Sequence, residues 1–437
     1  MLVKWMQRII LCIFLFPAFI FSVSHADSTL NIKRLIILGD SLSDNGNDYL
    51  LTSELHARFP AIPIFPSPSL YWQGRFSDGP TWPEYLASML NFMPAEISNT
   101  QRQSEQFQNL AYGGAWAESD NDQVTALKKK IGVRLFPPSL EAQTELYLIN
   151  TVSADPDHFK EIFAEDLVFV WAGGNDYLNQ GPDGPLPQDP EKVSDQVIVA
   201  IRANVVELIE AGVKNLVLLG LPDLSNVPDV YLRDPERKSL SPTMTSMSLL
   251  HNQKLQKLIA DLSKAYTDTQ INYFDIEDFF QEEFRDAKIR KQTYASTHDG
   301  KWQKSLAPCL LDSTDPDPTL IGLFGKNRML NLSVAPQQRL DEEFRKCDLH
   351  QANDHQSSFN FLEDYEAGGI FYDHVHPLTQ MHAKIALGVC HLLNAKGYAF
   401  YQNPQKQFIQ YNCEHDTLYS LLHRIQQPPF PFENNKH

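Results

Sequence analysis

The stretch RLIILGDSLSDNGN, residues 34–47, decides the fold because an apolar run ends abruptly at a glycine and polar residues follow. A short apolar run closed by Gly39 is typical of a strand that is buried on both faces of a parallel sheet. Three further runs share this character: LVFVW at 167–171, LVLLG at 216–220 and INYFD at 271–275. The sequence therefore predicts four buried parallel strands, and Ser41 lies just beyond the first of them.

Long helices are predicted between and after these strands. Residues 192–211, 244–266 and 378–396 carry apolar side chains at helical spacing, and Gly212 and Gly397 follow two of them as stop signals. Alternating strands and helices imply an α/β fold of three layers, α/β/α, with helices on both faces of a parallel central sheet. Ligand sites in such folds form beyond the carboxyl ends of the strands, which is where we expect the chemistry.

Composition and the first residues bound the class of protein. The 437 residues are 43% apolar with a formal net charge of −17, which excludes a mainly disordered chain and argues against nucleic-acid binding. A cationic start, an apolar run at 9–21 and the small residues Ser24 and Ala26 form the layout of a secretory signal peptide over 1–26. An uncleaved N-terminal anchor is the alternative. We expect a protein that is secreted or periplasmic after cleavage.

The remainder is predicted to be one domain with an insertion. Residues 27–437 carry the alternating pattern, but 287–368 are polar and weakly periodic, so we expect an insertion or lid there. The region could cover the active site until it is reduced or a protease cuts it within 310–346, and an inert surface loop is the alternative. An activating protease is therefore one predicted partner.

Four cysteines follow the leader, and their even number suits an oxidising compartment. We favour pairing neighbours, because each pair then closes a local loop: Cys309 with Cys347 and Cys390 with Cys413. A buried helical thiol is the alternative for Cys390, which lies beside an apolar run. The chain has no CxxC sequence, which argues against a structural zinc site and against a thioredoxin-type site.

The first chemical block is GDSLSDNGN at 39–47. A tight strand-to-helix turn would place Ser41 at a helix N-terminus, exposed and near unpaired backbone N–H groups, as a nucleophile requires. The alternative gives this block a purely structural role, with Ser43, Asp44 or Asn45 as an ordinary helix cap. The block is not the GxSxG elbow of α/β-hydrolases, because residue 43 is serine.

Two glycine-containing blocks are candidate parts of an oxyanion hole. NLAYGGA at 109–115 contains paired glycines, which can offer a backbone N–H to an oxyanion. GGND at 173–176 supplies Asn175, whose amide is a neutral donor. Taken alone, each block is more simply a loop turn or an Asx-turn.

The fourth block is DHVHP at 373–377. A carboxylate three residues before His376 can bond one ring nitrogen and fix the tautomer, which leaves the other nitrogen free to accept a serine proton. The competing interpretation is a metal site formed by four side chains, Asp373, His374, His376 and His382. No HExxH helix or cysteine partner accompanies them, which favours the acid–base role.

At these residues the sequence resembles the GDSL, or SGNH, hydrolases, over about residues 31–284 and 369–400. A fifth segment, GRFSDGPTW at 74–82, also resembles the longer members. The resemblance implies a flavodoxin-like fold, Ser41 as nucleophile, His376 as general base and acid, and Asp373 as the residue that orients it. It implies an oxyanion hole formed by the backbone N–H groups of Ser41 and Gly114 and by the Asn175 side chain. It implies no metal and no cofactor.

The extended first block and the 74–82 segment resemble a secreted bacterial branch of the family. That branch includes phospholipases A, lysophospholipases and glycerophospholipid:cholesterol acyltransferases. The resemblance implies a lipid substrate, cholesterol or another alcohol as an acyl acceptor, and peripheral contact with a membrane. The alternatives are a carbohydrate or short-chain acyl esterase and, in a different class, a secreted binding module without turnover.

Overall fold

The central sheet of the computed structural model has five parallel strands. The structure describes residues 30–60, 62, 64–66, 71–98, 101–117, 138–178, 189–234, 236–297, 365–366, 369–373, 375–403 and 405–425. Across the sheet, the strands are ordered β3, β2, β4, β5 and β6. Their bounds are Phe107–Asn109 (β3), Arg34–Gly39 (β2), Asp166–Trp171 (β4), Asn215–Leu219 (β5) and Gln270–Phe274 (β6).

This strand order confirms the predicted α/β class. Counted along the chain within this sheet, the order is second, first, third, fourth, fifth, which is that of the flavodoxin-like fold. All four pairings are parallel, and Leu35 of β2 pairs with Leu167 of β4 in the fully buried centre. Helices must cover both faces, because β2 and β4 have no solvent-facing side.

Helices flank the sheet in two groups. Among the described residues they are α1 Asn47–Arg58, α2 Trp82–Met89, α3 Leu140–Ala154, α4 Phe159–Ala164, α5 Gly174–Leu178, α6 Pro190–Ala211, α7 Pro228–Arg233, α8 Leu240–Ala265, α9 Ile276–Thr297, α10 Thr379–Ala395 and α11 Leu418–Leu422. Right-handed crossovers place helices on opposite faces when the chain moves in opposite directions along the sheet. Accordingly α2 packs against α10, whereas α6 packs against α8 and α3.

A second, small sheet lies beside the core. Strand β1, Leu30–Ile32, pairs in parallel with β7, Tyr398–Gln402, which pairs in antiparallel fashion with β8, Gln407–Ile409.

In the part of the chain that the structure describes, none of the helices combines the length and apolarity that crossing a bilayer requires.

The predicted insertion begins within a helix. Helix α9 extends to Thr297, so residues 287–297 continue a regular element that the weak sequence periodicity did not indicate. At the other end, the buried Tyr365 returns to this helix, where its ring lies 3.8 Å from the Arg290 guanidinium carbon. Residues 310–346, where the lid and its protease site are predicted, lie outside the described residues, as do the leader 1–26, Cys309 and Cys347.

The structure places the other two cysteines together. Cys390 on α10 and Cys413 are both buried, and their Cα atoms lie 6.0 Å apart in disulfide geometry. This is the local pairing that we favour over a lone helical thiol.

Candidate active site

The candidate site lies where the order of the strands reverses. From β2 the chain crosses to β3 on one side, and from β3 it returns past β2 to β4 on the other. Parallel sheets open a crevice at such a switch point, beyond the carboxyl ends of the strands. Ser41 follows β2, Gly114 follows β3 and Asn175 follows β4, so three predicted site residues leave the same edge of the sheet.

The turn after β2 holds Ser41 through backbone contacts. A Cβ at Gly39 would lie 2.6 Å from the Trp171 carbonyl oxygen, so only glycine permits this approach of β2 to β4. The next residues close a single turn, in which the Asp44 N–H donates to the Asp40 carbonyl at 3.0 Å. Helix α1 begins only at Asn47. The prediction that Ser41 stands exposed at the N-terminus of this helix is therefore wrong, because the turn separates Ser41 from the helix and the packing around the turn buries its side chain.

The structural role considered for the rest of the block is observed in part. The N-cap residue of α1 is Gly46, but the Asp44 carboxylate satisfies the first helical N–H, since its Oδ1 accepts from Asn47 at 2.6 Å. Ser43 is buried and accepts the Trp82 indole N–H at 3.0 Å. Because these side chains are committed to structure, Ser41 is the hydroxyl in this block that faces the histidine.

Ser41, His376 and Asp373 form one hydrogen-bonded chain. The His376 Nε2 atom lies 2.8 Å from Ser41 Oγ, and its Nδ1 atom lies 2.7 Å from Asp373 Oδ2. A carboxylate accepts, so Nδ1 carries the ring proton and Nε2 is left to accept from the serine. This chain joins residues that are 335 positions apart in the sequence.

Backbone and phenol donors hold the Asp373 carboxylate. Its Oδ1 atom accepts the N–H groups of Val375 and His376, both at 2.7 Å, and its Oδ2 atom also accepts the Tyr71 hydroxyl at 2.6 Å. Burial opposes ionisation of this carboxyl, but the His376 ring and these donors outweigh it and hold the pKa of Asp373 well below its usual value. The group therefore remains a charged acceptor in the acidic range.

The segment 71–79 cradles the loop that carries the histidine. The Phe76 ring packs against the His376 ring with centroids 5.1 Å apart. Ser77 Oγ donates to the Pro377 carbonyl at 2.9 Å, and Asp78 Oδ1 accepts the Thr379 N–H at 2.7 Å, at the start of α10. The resemblance singled out GRFSDGPTW without a role, and the contacts show that it supports the loop that carries His376.

Two supporting residues were missed by reasoning from sequence. Tyr71 contacts Asp373 as described, and the buried Gln143 of α3 brackets Gly39, accepting its N–H at 2.8 Å and donating to its carbonyl at 2.9 Å. Neither side chain belongs to a local motif, so no pattern in the sequence could have found them.

Two of the predicted oxyanion residues are Gly114, on the loop after β3, and Asn175, at the start of α5. Gly114 has φ +71°, a left-handed conformation that strains residues with a Cβ. The Asn175 amide donates to the Ala115 carbonyl at 3.0 Å, and Asp176 accepts the Ala117 N–H at 2.9 Å. At the root of the first loop, the buried Asn109 donates to the Ser43 carbonyl at 2.7 Å. Hydrogen bonds thus connect the loop that carries Gly114 to the start of α5 and to the turn that carries Ser41.

The described members of the alternative ligand set, Asp373, His376 and His382, are not assembled into a metal site. His376 engages the serine and the carboxylate through its two ring nitrogens, and His382 is buried on α10, where burial lowers its pKa to about 3. His374 lies outside the described residues. Within the described ranges, no group of three or more His, Cys, Asp or Glu side chains is placed to hold a metal ion.

Comparison with known proteins gives one family. The sequence pattern of the family described as GDSL-like Lipase/Acylhydrolase matches residues 35–389. The phosphatidylcholine-sterol acyltransferase of Aeromonas hydrophila is 27% identical over 374 residues, which cover 84% of this chain and 91% of that protein. The secreted effector protein SseJ of Salmonella typhimurium is 27% identical over 252 residues, 57% of this chain and 48% of its own length.

Among solved structures, the acetylxylan esterase Axe2 of Geobacillus stearothermophilus matches with a TM-score of 0.28 and 16% identity, over 59% of this chain and 82% of that one. The family match is far more extensive, because it spans most of the 437 residues and includes the segments that carry Ser41, Gly114, Asn175 and His376. The chain belongs to the GDSL-like lipase/acylhydrolase family.

Proposed function

We propose that the protein is a serine ester hydrolase that acts through an acyl-enzyme. The observation that carries this proposal is the 2.8 Å contact from Ser41 Oγ to His376 Nε2, with Asp373 bonded to the opposite ring nitrogen. That arrangement is the one in which an imidazole accepts a hydroxyl proton and a carboxylate stabilises the imidazolium that results.

The proposed reaction has two halves. Ser41 Oγ attacks the ester carbonyl carbon while His376 Nε2 takes its proton, and the carbonyl oxygen becomes an oxyanion. The carbon–oxygen bond to the leaving alcohol then breaks, His376 protonates that alcohol, and an acyl-serine remains. Water or a second alcohol repeats the sequence in reverse and releases a fatty acid or a new ester. Hydrogen bonds from the N–H groups of Ser41 and Gly114 and from the Asn175 amide stabilise the oxyanion.

We propose phospholipids or lysophospholipids as substrates and cholesterol or another alcohol as acyl acceptor. Support comes from the phosphatidylcholine-sterol acyltransferase, which aligns over 91% of its own length. A lipid substrate requires peripheral contact with a membrane or micelle. We also propose that the protein is secreted or periplasmic after cleavage of residues 1–26. A protease that cuts within 310–346 would activate it.

A lipid panel tests this proposal. The protein is incubated with phosphatidylcholine or lysophosphatidylcholine micelles, with and without cholesterol, and fatty acid and steryl ester are measured together. We expect fatty acid without cholesterol and both products with it. When formation of the acyl-enzyme limits the rate, the total of fatty acid and steryl ester is the same with and without cholesterol, because both products come from the same acyl-enzyme. Ser41→Ala should form neither product above background.

An acetylated oligosaccharide in the same assay separates the alternative substrate class. If the kcat/KM for this soluble ester equals or exceeds that for lysophospholipid, the lipid proposal is wrong and the protein is a carbohydrate or short-chain acyl esterase. A binding module would release neither product, and a fluorophosphonate would not label its serine.

A further inference from the structure

Two acidic side chains beside the loop that carries Gly113 and Gly114 have no part in the reaction described above. Asp44 and Asp48 are both fully buried, and their carboxyl groups converge on Gly113. The Gly113 N–H donates to Asp44 Oδ2 at 3.2 Å. A Cβ built on Gly113 would lie only 2.5 Å from Asp48 Oδ2. Two buried carboxyl groups thus adjoin the residue that precedes Gly114.

The two carboxyl groups differ sharply in their hydrogen bonds. Asp44 accepts four backbone N–H groups: those of Gly46 at 2.7 Å, Asn47 at 2.6 Å, Asp48 at 3.2 Å and Gly113 at 3.2 Å. Neither carboxyl oxygen of Asp48 has a hydrogen-bond partner among the described residues. Four donors favour the ionised form of Asp44, whereas an unpaired buried carboxylate beside a negative charge is strongly disfavoured.

The surrounding ionisable groups do not change this assignment. Arg102 donates to the Asn45 carbonyl at 3.0 Å. Burial lowers the pKa of its guanidinium, and the nearby Asp44 opposes that effect without outweighing it. Arg75 and Glu84 form a buried ion pair with each other. Burial and, to a smaller extent, the charges of Asp44 and Asp48 raise the pKa of Tyr112 to about 12. Tyr49 stacks under Arg102 at 5.6 Å.

We propose that Asp48 is protonated, that Asp44 is ionised, and that this acid pair is a positioning device that holds the Gly113–Gly114 backbone in the oxyanion hole. The role of the pair in catalysis rests on the proposed function, but its protonation does not. Burial raises the pKa of both acids. The pKa of Asp44 rises only to about 6, because its four backbone donors oppose the effect of burial. The pKa of Asp48 rises well above its usual value, because the Asp44 charge adds to burial and only the Gly113 N–H opposes them.

Measuring thermal unfolding as a function of pH tests the proton on Asp48 without any substrate. A carboxyl whose folded pKa is raised stabilises the protein fully below its unfolded pKa, and that stability is lost as pH rises toward the folded pKa. Asp48→Asn is the neutral isostere of the protonated acid and cannot lose a proton. Between pH 5 and 8 we expect the unfolding constant of wild type to rise relative to Asp48→Asn by up to about tenfold per pH unit.

The matched control is Asp261→Asn, which makes the same chemical change at an exposed residue paired with Lys257 at 2.8 Å. That pairing lowers the pKa of Asp261, so the control should differ from wild type by a constant amount over the same pH range. A constant or shrinking difference for Asp48→Asn, or an Asp48→Asn protein that melts below wild type at every pH, overturns the protonation assignment.

Asp44→Asn tests the positioning role. An amide can accept on one side only, so it loses part of the cap or the bond to Gly113. Assayed well below its melting temperature, Asp44→Asn should lose about 10²-fold in kcat with little change in KM, because a displaced donor affects the transition state more than substrate binding. An Asp44→Asn variant with the kcat of wild type overturns this role.

If wild type itself neither hydrolyses esters nor reacts with a fluorophosphonate, the proposed function fails. The unfolding measurements would still report whether Asp48 is protonated.

Discussion

Replacing Asp373 with asparagine is expected to lower kcat by about 10⁴ while the fold stays intact. The amide oxygen should remain at the Oδ1 position, because two backbone N–H groups donate there at 2.7 Å. The NH₂ group then faces His376 Nδ1, which must accept, so the ring proton moves to Nε2. A protonated Nε2 cannot take the proton of Ser41. Steady-state kinetics with a soluble ester measure this loss.

Tyr71→Phe is the control for this experiment. It removes the Tyr71 hydroxyl, which donates at 2.6 Å to Asp373 Oδ2, the oxygen that also contacts His376. The carboxylate and the tautomer of His376 stay in place. We expect a loss of about tenfold, in line with one hydrogen bond to a charged group. If Asp373→Asn stays within tenfold of wild type, the tautomer argument is wrong and another group orients the histidine.

Asn175→Ala is expected to lower kcat by about 10² to 10³ with little change in KM, because an oxyanion donor acts mainly in the transition state. Asn175 stands at the start of α5, and its amide already donates to the Ala115 carbonyl at 3.0 Å. We propose that this amide also donates to the oxyanion. The measurement is kcat and KM on one ester for both proteins.

Asn175→Asp separates the donor from the shape of the side chain. It keeps the size of asparagine but replaces the amide with a carboxylate, so it should be at least as slow as Asn175→Ala. An aspartate variant that retains most of the wild-type kcat would show that catalysis needs no N–H from residue 175, either at the oxyanion or at the Ala115 carbonyl.

The strands were predictable because each buried one is an apolar run with a sharp end. Predicted and observed boundaries of the four agree within one residue, as in 34–38 against Arg34–Gly39. Such runs are distinctive since both faces are buried. Strand β3, Phe107–Asn109, was missed because three residues carry no periodicity. Helix α3 was missed because it exposes Ile149 and Leu146 and so lacks a clean apolar stripe.

The candidate site was predictable where chemistry is encoded in short blocks. His376 and Asp373 are three residues apart, so the local geometry of one loop joins them. The supports were not predictable, because they act across the fold: Tyr71 reaches Asp373 over 302 positions and Gln143 reaches Gly39 over 104. Contacts of this kind depend on how the layers pack, which periodicity does not specify.

The central claim is that His376 activates the Ser41 hydroxyl, and covalent labelling tests it most directly. The protein is treated with a fluorophosphonate, digested and examined by mass spectrometry, and the labelling rate is compared between wild type and His376→Ala. We predict one adduct, on Ser41, and a rate at least about 10² lower without the imidazole. An adduct on Ser43 or elsewhere, or equal rates for the two proteins, would contradict the claim.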